Sequence, residues 1–417
     1  RDLGGRVAHR RAGAAMTPLQ WTVTLVLALA ALPLLVGCGY LALLAVASWR
    51  PARRARQRAS GTWTFDVIVP AHDEASGIAA TVASLQSLAY PRTQFRVVVV
   101  ADNCTDGTAD IARRAGAHVL ERHDLTRRGK GHALAHAFAW SAADGFANAV
   151  VVVDADTVVL PSLLSAFAEP LDAGECCVQG DYGVRNAADS WRTRLMAVAF
   201  AMYHALRSLG RERLGVSCGL RGNGMAFTHD LLRRVPYAAF SVVEDVEYGV
   251  LLGLAGVRIA YAHEARVLGD MPTTGSASRS QRERWEGGRS ALARRFVPPL
   301  VRDALRTRRA LPLDLALDLL IPPLTRLVAW VVAGGALTLA LVLAGIASWI
   351  TLVFWMIPLA ALALYVVRGA VLSGSGSRVV LDLLWAPVYA GWKLTGARRP
   401  SAVAKGEWVR TERRTAD

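Results

Sequence analysis

The sequence predicts an α/β domain built on a mostly parallel sheet and held among membrane-crossing and interfacial helices. Three observations predict it. Residues 19–49 form an apolar run without a charged side chain. From residue 62 to about 295, short apolar runs alternate with helical patterns, as strands and crossover helices do. Three of those apolar runs end in carboxylates, which places acidic groups at one edge of the sheet.

The composition bounds what such a chain can be. Its 417 residues are 53% hydrophobic and 19% charged, with a net charge of +15. That excludes a disordered chain, a collagen and a small disulfide scaffold. The cysteines (Cys38, Cys104, Cys176, Cys177, Cys218) show no C-x-x-C spacing, so reduced thiols in a cytosolic compartment are expected. The basic surplus reads as a membrane-surface feature. No aromatic-basic module accompanies it, so no nucleic acid partner is expected. Met16 is a candidate start of translation.

In chain order, residues 1–18 are a basic N-terminal segment and 19–49 a transmembrane helix. The latter is long enough for a hydrocarbon core of about 30 Å and too long for the apolar core of a signal peptide. Residues 50–61 are a basic linker, with arginines at 50, 53, 54, 56 and 58. Those arginines favour a cytoplasmic domain after the first span, although Arg6, Arg10 and Arg11 before it weaken the asymmetry. The α/β domain occupies 62–295. Interfacial helices are expected over 296–326 and 379–394, where Asp314, Asp318 and Asp382 suit a headgroup surface better than hydrocarbon. Transmembrane helices at 327–346 and 349–367 form a hairpin that returns the basic tail, 395–417, to the cytosolic side.

Within the α/β domain, strands are expected at 65–70, 95–101, 117–120 and 149–153, and helices at 77–88, 108–115 and 131–142. Fully apolar strands such as 97–100 and 150–153 need cover on both faces, which a parallel sheet provides. The carboxylates at the strand ends are Asp73 and Glu74, Asp102, and Asp154 with Asp156. A dinucleotide fold would need G-x-G-x-x-G after the first strand, and Pro70-Ala71-His72-Asp73-Glu74 stands there instead. An acidic crevice would repel a nucleotide phosphate unless a metal lay between them. Asp154-Ala155-Asp156 suits one hard cation, Mg²⁺ or Mn²⁺, bridging to a diphosphate. Lys130 is the only lysine of the domain. It reads either as a compact ammonium beside the nucleotide or as part of a solvated charge run with Arg127 and Arg128.

An ordered set of segments then resembles the family 2 glycosyltransferases of GT-A fold, over about 66–289. VIVPAHDE resembles the first nucleotide-binding strand and VVVADNCTDGTADIA the second. RRGKGHALAHAF resembles the lysine segment, VVVDADT the D-x-D strand, and RGNGMAF the glycine-rich acceptor-side strand. VVEDVEYGVLLGLAGVRIAY resembles the E-D helix, and GDMPTTGSASRSQRERWEGG carries Q-x-x-R-W.

The resemblance implies a GT-A domain, a UDP-sugar donor and a divalent metal on Asp154 and Asp156. It places Asp73, Glu74, Asp102, Lys130 and Asp154 at the nucleotide sugar. Asp102 would accept from uracil N3–H or lie by the ribose, unless it only forms a turn before the next helix. Asp73 would line the base pocket, or else cap the helix after it. Asp245 is implied as the general base for an inverting displacement. Glu244 beside it points about 100° away on a helix, and both acids also suit a helix N-terminus. Gly222, Asn223, Gly224, Glu244, Gln281, Arg284 and Trp285 are implied at the acceptor and diphosphate. His263 could complete a metal site, but a lone histidine at a strand end reads as structural.

These implications give a membrane-embedded hexosyltransferase that makes a β-linked polysaccharide, as cellulose-like, chitin-like or hyaluronan-like synthases do. About three spans offer little private channel, so that reading asks for a homo-oligomer or a channel or export partner. The alternative is transfer of one sugar to a membrane lipid, as ceramide glucosyltransferases do. A remote alternative is a non-catalytic nucleotide-sugar-binding subunit. A cytosolic donor places the catalytic domain on the cytoplasmic face of a bacterial inner membrane.

Overall fold

The structure, a computed structural model, describes residues 16–49, 62–271, 275–376, 378–385 and 391, with the backbone alone over 275–285 and at 380. The basic linker, the basic ends of the chain and most of the segment 386–394 lie outside the described residues. The chain divides into two compact units, one comprising residues up to Tyr40 with Leu324–Ala363, the other Leu41–Pro323 with the residues from Leu364 onward.

Chain order begins with α1 (Pro18–Ala47), most of which belongs to the first unit. Three strands and three helices then alternate: β1 (Phe65–Ala71), α2 (Ile78–Gln86), β2 (Phe95–Asp102), α3 (Thr108–Arg114), β3 (His118–Arg122) and α4 (Lys130–Asp144). β4 (Ala149–Val152), β5 (Thr157–Val159), α5 (Leu163–Asp172) and β6 (Cys177–Val184) follow. α6 (Trp191–Phe200) runs through a π-helical segment, Ala201–Leu206, into α7 (Arg207–Leu214). Then come β7 (Met225–Thr228), α8 (His229–Arg234), α9 (Glu244–Leu254) and β8 (Ala260–Gly269). α10 (Gly275–Thr307), α11 (Ala310–Leu320), α12 (Leu324–Leu343), α13 (Ile350–Leu372) and α14 (Arg378–Leu383) complete the described chain.

The eight strands form one sheet in the order β3-β2-β1-β4-β7-β6-β8-β5. β3, β2, β1 and β4 are parallel, and β6 runs parallel to β8. β7 is antiparallel to both β4 and β6, and β5 is antiparallel to β8. The parallel half is the part whose apolar runs predicted it. Val67, Val69, Val97, Val99 and Val151 join the core on one face, while Ile68, Val98, Val100, Val150 and Val152 join the core on the other. Alternation buries every residue of such a strand, so the run contains no polar face. Each fully buried valine or isoleucine contributes about 1.5–3 kcal/mol relative to exposure.

α1, α12 and α13 are long and apolar enough to cross a membrane. In the first unit, Gln20 Nε2 donates to the Gly345 carbonyl at 3.0 Å, and the hydroxyls of Thr24 and Thr351 lie 3.2 Å apart. A Cβ at Gly334 would lie 1.9 Å from the Trp355 ring, so only glycine lets α12 approach α13 there.

Two expectations about charge change. Asp314 and Asp318 on α11 do not face a headgroup surface. They are buried within the second unit, where Arg211 Nε lies 3.2 Å from Asp314 and Arg207, Arg211 and Arg289 surround Asp318. Asp382 on α14 likewise pairs with Arg194 at 2.5 Å. These acids sit in apolar sequence because arginines of the α/β domain neutralise them.

Candidate active site

The carboxyl ends of β1, β2 and β4 meet at one edge of the sheet, as the parallel topology requires. After β1, Asp73 takes a left-handed backbone (φ 53°) and its Oδ1 accepts from the Thr105 amide at 2.6 Å. Asp73 therefore ties the β1 loop to the β2 loop and does not cap α2, whose N-cap is Gly77. The Glu74 amide donates to Thr108 Oγ1 at 2.8 Å. The turn before α3 is closed by Asp106, which accepts from the Thr108 amide at 3.0 Å, leaving Asp102 for another task. Asp102 ends β2, is 1% exposed and accepts from Arg122 at 2.5 Å. Arg122 occupies the partnered position on β3, so strand register makes the pair.

Lys130 opens α4 and is the hub of the site. Its Nζ donates to Asp154 Oδ1 at 2.5 Å and to the Gly222 carbonyl at 2.6 Å, and it lies 3.7 Å from Glu244 Oε1. With its side chain 17% exposed, it is no member of a solvated charge run. Burial alone would favour neutral Lys130, but the charges of Asp154 and Glu244 overcome that and hold its pKa above the usual lysine value.

Gly222 and Gly224 adopt positive φ, +80° and +65°, which closes the loop before β7. A Cβ at Gly222 would lie 3.3 Å from Asp245 Oδ2 and 3.8 Å from Lys130 Nζ. The Gly222 carbonyl thus meets the lysine, and the missing side chain leaves space beside Asp245. Asn223, expected at the acceptor, is corrected to a positioning role. Its side chain is fully buried, accepts from the Asp154 amide at 3.1 Å and donates to Thr157 Oγ1 at 2.8 Å. Both hydrogen bonds hold the D-x-D turn. Gln179 on β6 secures the loop in turn, donating to the Asn223 carbonyl at 2.7 Å and accepting from the Arg221 amide at 2.9 Å.

Glu244 and Asp245 occupy the first turn of α9. Burial pushes Glu244 up to about 7, against the opposing charge of Lys130, and burial also raises Asp245. The pair divides its contacts: Glu244 faces Lys130, whereas Asp245 faces Gly222. Gln281, Arg284 and Trp285 share α10, and their side chains lie outside the described residues. His263 is exposed, with Nδ1 3.3 Å from the Tyr261 hydroxyl.

The fit of a metal rests on chemistry at Asp154 and Asp156. Both carboxylates sit in the turn after β4, Asp154 already carries a cation in the form of Lys130, and Asp156 is partly exposed. Hard oxygen donors of this kind suit Mg²⁺ or Mn²⁺. Among the described residues, a different trio (Asp73, Cys104 and Asp106) brings ligand atoms within 4.8 Å of one another. Asp73 and Asp106 are committed to backbone amides there. Sequence reasoning missed Arg122, Gln179 and Arg221. Register opposite Asp102 offered a signal for Arg122; none marked the others.

The profile of the family described as "Glycosyltransferase like family 2" matches residues 63–288. The chain belongs to that family. It is 25% identical over 242 residues to the probable glycosyltransferase YdaM of Bacillus subtilis (strain 168), covering 55% of this chain and 56% of that one. The chain thus spans about half the length of this curated relative. Among solved structures, the mannosyltransferase PcManGT from Pyrobaculum calidifontis, in complex with GDP-Man and Mn²⁺, matches with a TM-score of 0.50 at 19% identity. That match covers 89% of this chain and 96% of the other, and it shows the GT-A fold.

Proposed function

We propose that this family 2 glycosyltransferase is membrane-embedded and inverting, with a UDP-sugar as donor and Asp245 as general base. One observation carries the reading. Asp245 Oδ2 faces the Gly222 backbone, whose carbonyl accepts from the same Lys130 ammonium that holds Asp154. The base is thereby joined to the donor-side carboxylates through one lysine. Asp154 and Asp156 would hold Mg²⁺ or Mn²⁺, which when bound supplies positive charge against the donor diphosphate. The Mn²⁺ and nucleotide sugar held by PcManGT support that assignment.

The chain's own groups do the rest. Asp102 accepts from the base or ribose, with Arg122 fixing its orientation. Lys130 holds Asp154 in place and neutralises negative charge as the nucleoside diphosphate departs. Asp245 takes the proton of the acceptor hydroxyl as that oxygen attacks the anomeric carbon, and direct displacement turns an α-linked donor into a β-linked product. Glu244, closer to Lys130, tunes the local charge. Gln281, Arg284 and Trp285 are assigned to the acceptor and diphosphate, with Trp285 as a stacking face for the acceptor sugar.

A polysaccharide acceptor is the first reading, from Q-x-x-R-W. Among the described residues, three apolar helices are long enough to cross a membrane, which favours the second, a membrane lipid, because they provide little lining for a polymer. Chromatography of the product from labelled UDP-sugar and native lipid extract tests both: a long β-linked chain supports the synthase, and a single glycolipid spot overturns it. The catalytic domain is assigned to the cytoplasmic face of a bacterial inner membrane. A reporter fused at Gly145 should read cytoplasm, and a periplasmic signal would contradict that orientation.

A further inference from the structure

Gln281, Arg284 and Trp285 lie early on α10, and the contacts that fix that part of the helix come just after them. Gly288 and Arg289 follow, with Arg289 one helical turn beyond Trp285. Gly288 sets the distance to the base. A Cβ there would lie 2.9 Å from Val243 Cγ2, and Val243 directly precedes Glu244 and Asp245. Arg289 sets the rotation. Its side chain is 17% exposed, and its two terminal nitrogens engage different elements. Nη1 donates to the Tyr203 hydroxyl at 2.7 Å. Nη2 lies 3.0 Å from Asp318 Oδ2 and also donates to the Asp318 carbonyl. A planar fork held at both prongs fixes an orientation that one contact would not.

Beyond Arg289, α10 is held by apolar packing. Leu292, Phe296 and Leu300 join Val243, Val250, Leu315 and Leu319 in one core. Such a seam keeps helices together, but burial is non-directional and sets no rotation. Arg295 pairs with Glu247 at 3.2 Å, yet its side chain is 68% exposed, so that contact is weak. The polar contacts of Arg289 therefore decide how the start of α10 is presented to α9.

Tyr203 is well placed to serve as the fixed end. It belongs to the π-helical segment, a backbone irregularity frequent at functional sites. The neighbouring Met202 carbonyl accepts from the Tyr365 hydroxyl at 2.8 Å, and a Cβ at Gly369 would lie 2.1 Å from Met202 Cγ. Tyr365 and Gly369 of α13 thus clamp the segment. The guanidiniums of Arg221, Arg207 and Arg289 lie 4.3, 5.2 and 5.6 Å from the Tyr203 ring centroid, within reach of cation–π attraction. Arg221 directly precedes Gly222 in the chain, so one ring joins the Gly222 loop, α7 and α10.

We propose that Tyr203 and Arg289 are positioning residues for the acceptor. Together they hold the 281–285 segment of α10 in place beside Asp245, without themselves touching substrate. The acceptor role of that segment rests on the glycosyltransferase reading above; the fixing of α10 does not.

The test uses the full chain in phosphatidylcholine nanodiscs. Arg289→Gln removes the charge, Arg289→Lys keeps it and loses the fork, and Tyr203→Phe keeps the ring and loses the hydroxyl. Asp318 retains Arg207 and Arg211 in all three. Hydrogen exchange, which needs no substrate, should be faster over 281–289 in Arg289→Gln and unchanged over β1 and β2. UDP-glucose, UDP-galactose and UDP-N-acetylglucosamine, each labelled in the sugar, are then supplied in turn with and without native lipid extract. Transfer to the extract should fall about tenfold or more in Arg289→Gln, and less in the other two variants. Hydrolysis of the donor by water should stay within about twofold of wild type, whereas a residue that only held the fold would lower both together. Unchanged exchange over 281–289 overturns the proposal, as do equal losses of transfer and hydrolysis. Should Arg289→Gln fail to fold, the same comparisons are read in Tyr203→Phe. A wild-type chain that neither transfers nor hydrolyses any of the donors contradicts the glycosyltransferase reading instead, and the exchange data then decide whether the pair fixes α10.

Discussion

The two sides of the site handle charge differently. On the β1–β4 side, each charged group already has a local partner: Asp102 has Arg122, Asp73 has the Thr105 amide, and Lys130 has Asp154. On the side formed by α7, α9, α10 and α11, three arginines (Arg207, Arg211 and Arg289) share Asp314 and Asp318, while Glu244 and Asp245 lie buried beside each other. The first arrangement pairs these groups one to one. The second shares its charges across a cluster, with Arg221 acting on the buried Asp245. Under the proposed function, the one-to-one pairs lie on the donor side and the shared cluster on the acceptor side.

The largest expected effect tests the metal assigned to Asp154 and Asp156. EDTA should abolish turnover and Mn²⁺ should restore it, and Asp156→Ala should lose turnover while its circular dichroism stays native. Full activity of Asp156→Ala in chelator would remove the metal from the account. Next comes the base: Asp245→Asn should lower kcat by about 10²- to 10⁴-fold with nucleotide binding retained. If Glu244→Gln is the inactive variant and Asp245→Asn is normal, the roles of the two acids are reversed.

The neutralised side can be broken by removing one partner. Arg122→Ala leaves Asp102 buried and unpaired, which should cost about 3–5 kcal/mol in chemical denaturation. Arg127→Ala, at a side chain 71% exposed, should stay within about 0.5 kcal/mol of wild type. Equal effects would mean that Asp102 is less dependent on its partner than its burial implies.

A smaller effect appears in pH dependence. Burial raises Glu244 from 4.5 to about 7, so the folded chain binds this proton more tightly than the unfolded chain. The corresponding stability is present below pH 4.5 and is lost as pH rises through 7. Thermal melts of the wild-type chain should therefore fall across that window relative to Glu244→Gln. Parallel profiles would show that Glu244 is ionised throughout.

How much of this was readable in the sequence follows from how local each feature is. β1, β2 and β4 announced themselves because strands buried on both faces need continuous apolar runs, and 65–70, 95–101 and 149–153 are such runs. The ends of α3 and α4 fell within two residues of expectation. The antiparallel β7 was not distinguishable, since Met225–Thr228 is four residues whose direction is set by neighbours far along the chain. At the site, Lys130, Asp154 and Asp245 were marked by motif order. The inward turn of Asn223 was hidden because an amide between two glycines suits ligand contact and loop closure equally. Asp314 and Asp318 misled for a related reason: their partners are about 100 residues earlier, and only the folded chain brings Arg207 and Arg211 against α11.

The central claim is the division between a donor side built on one-to-one charge pairs and an acceptor side that carries the base. Calorimetric titration of UDP, with GDP beside it, into the wild-type chain, Asp102→Asn and Asp245→Asn tests it most directly. The account predicts tighter binding of UDP than GDP, affinity reduced about tenfold by Asp102→Asn through loss of a charged hydrogen bond, and wild-type affinity in Asp245→Asn. Wild-type affinity in Asp102→Asn together with weakened binding in Asp245→Asn would contradict it.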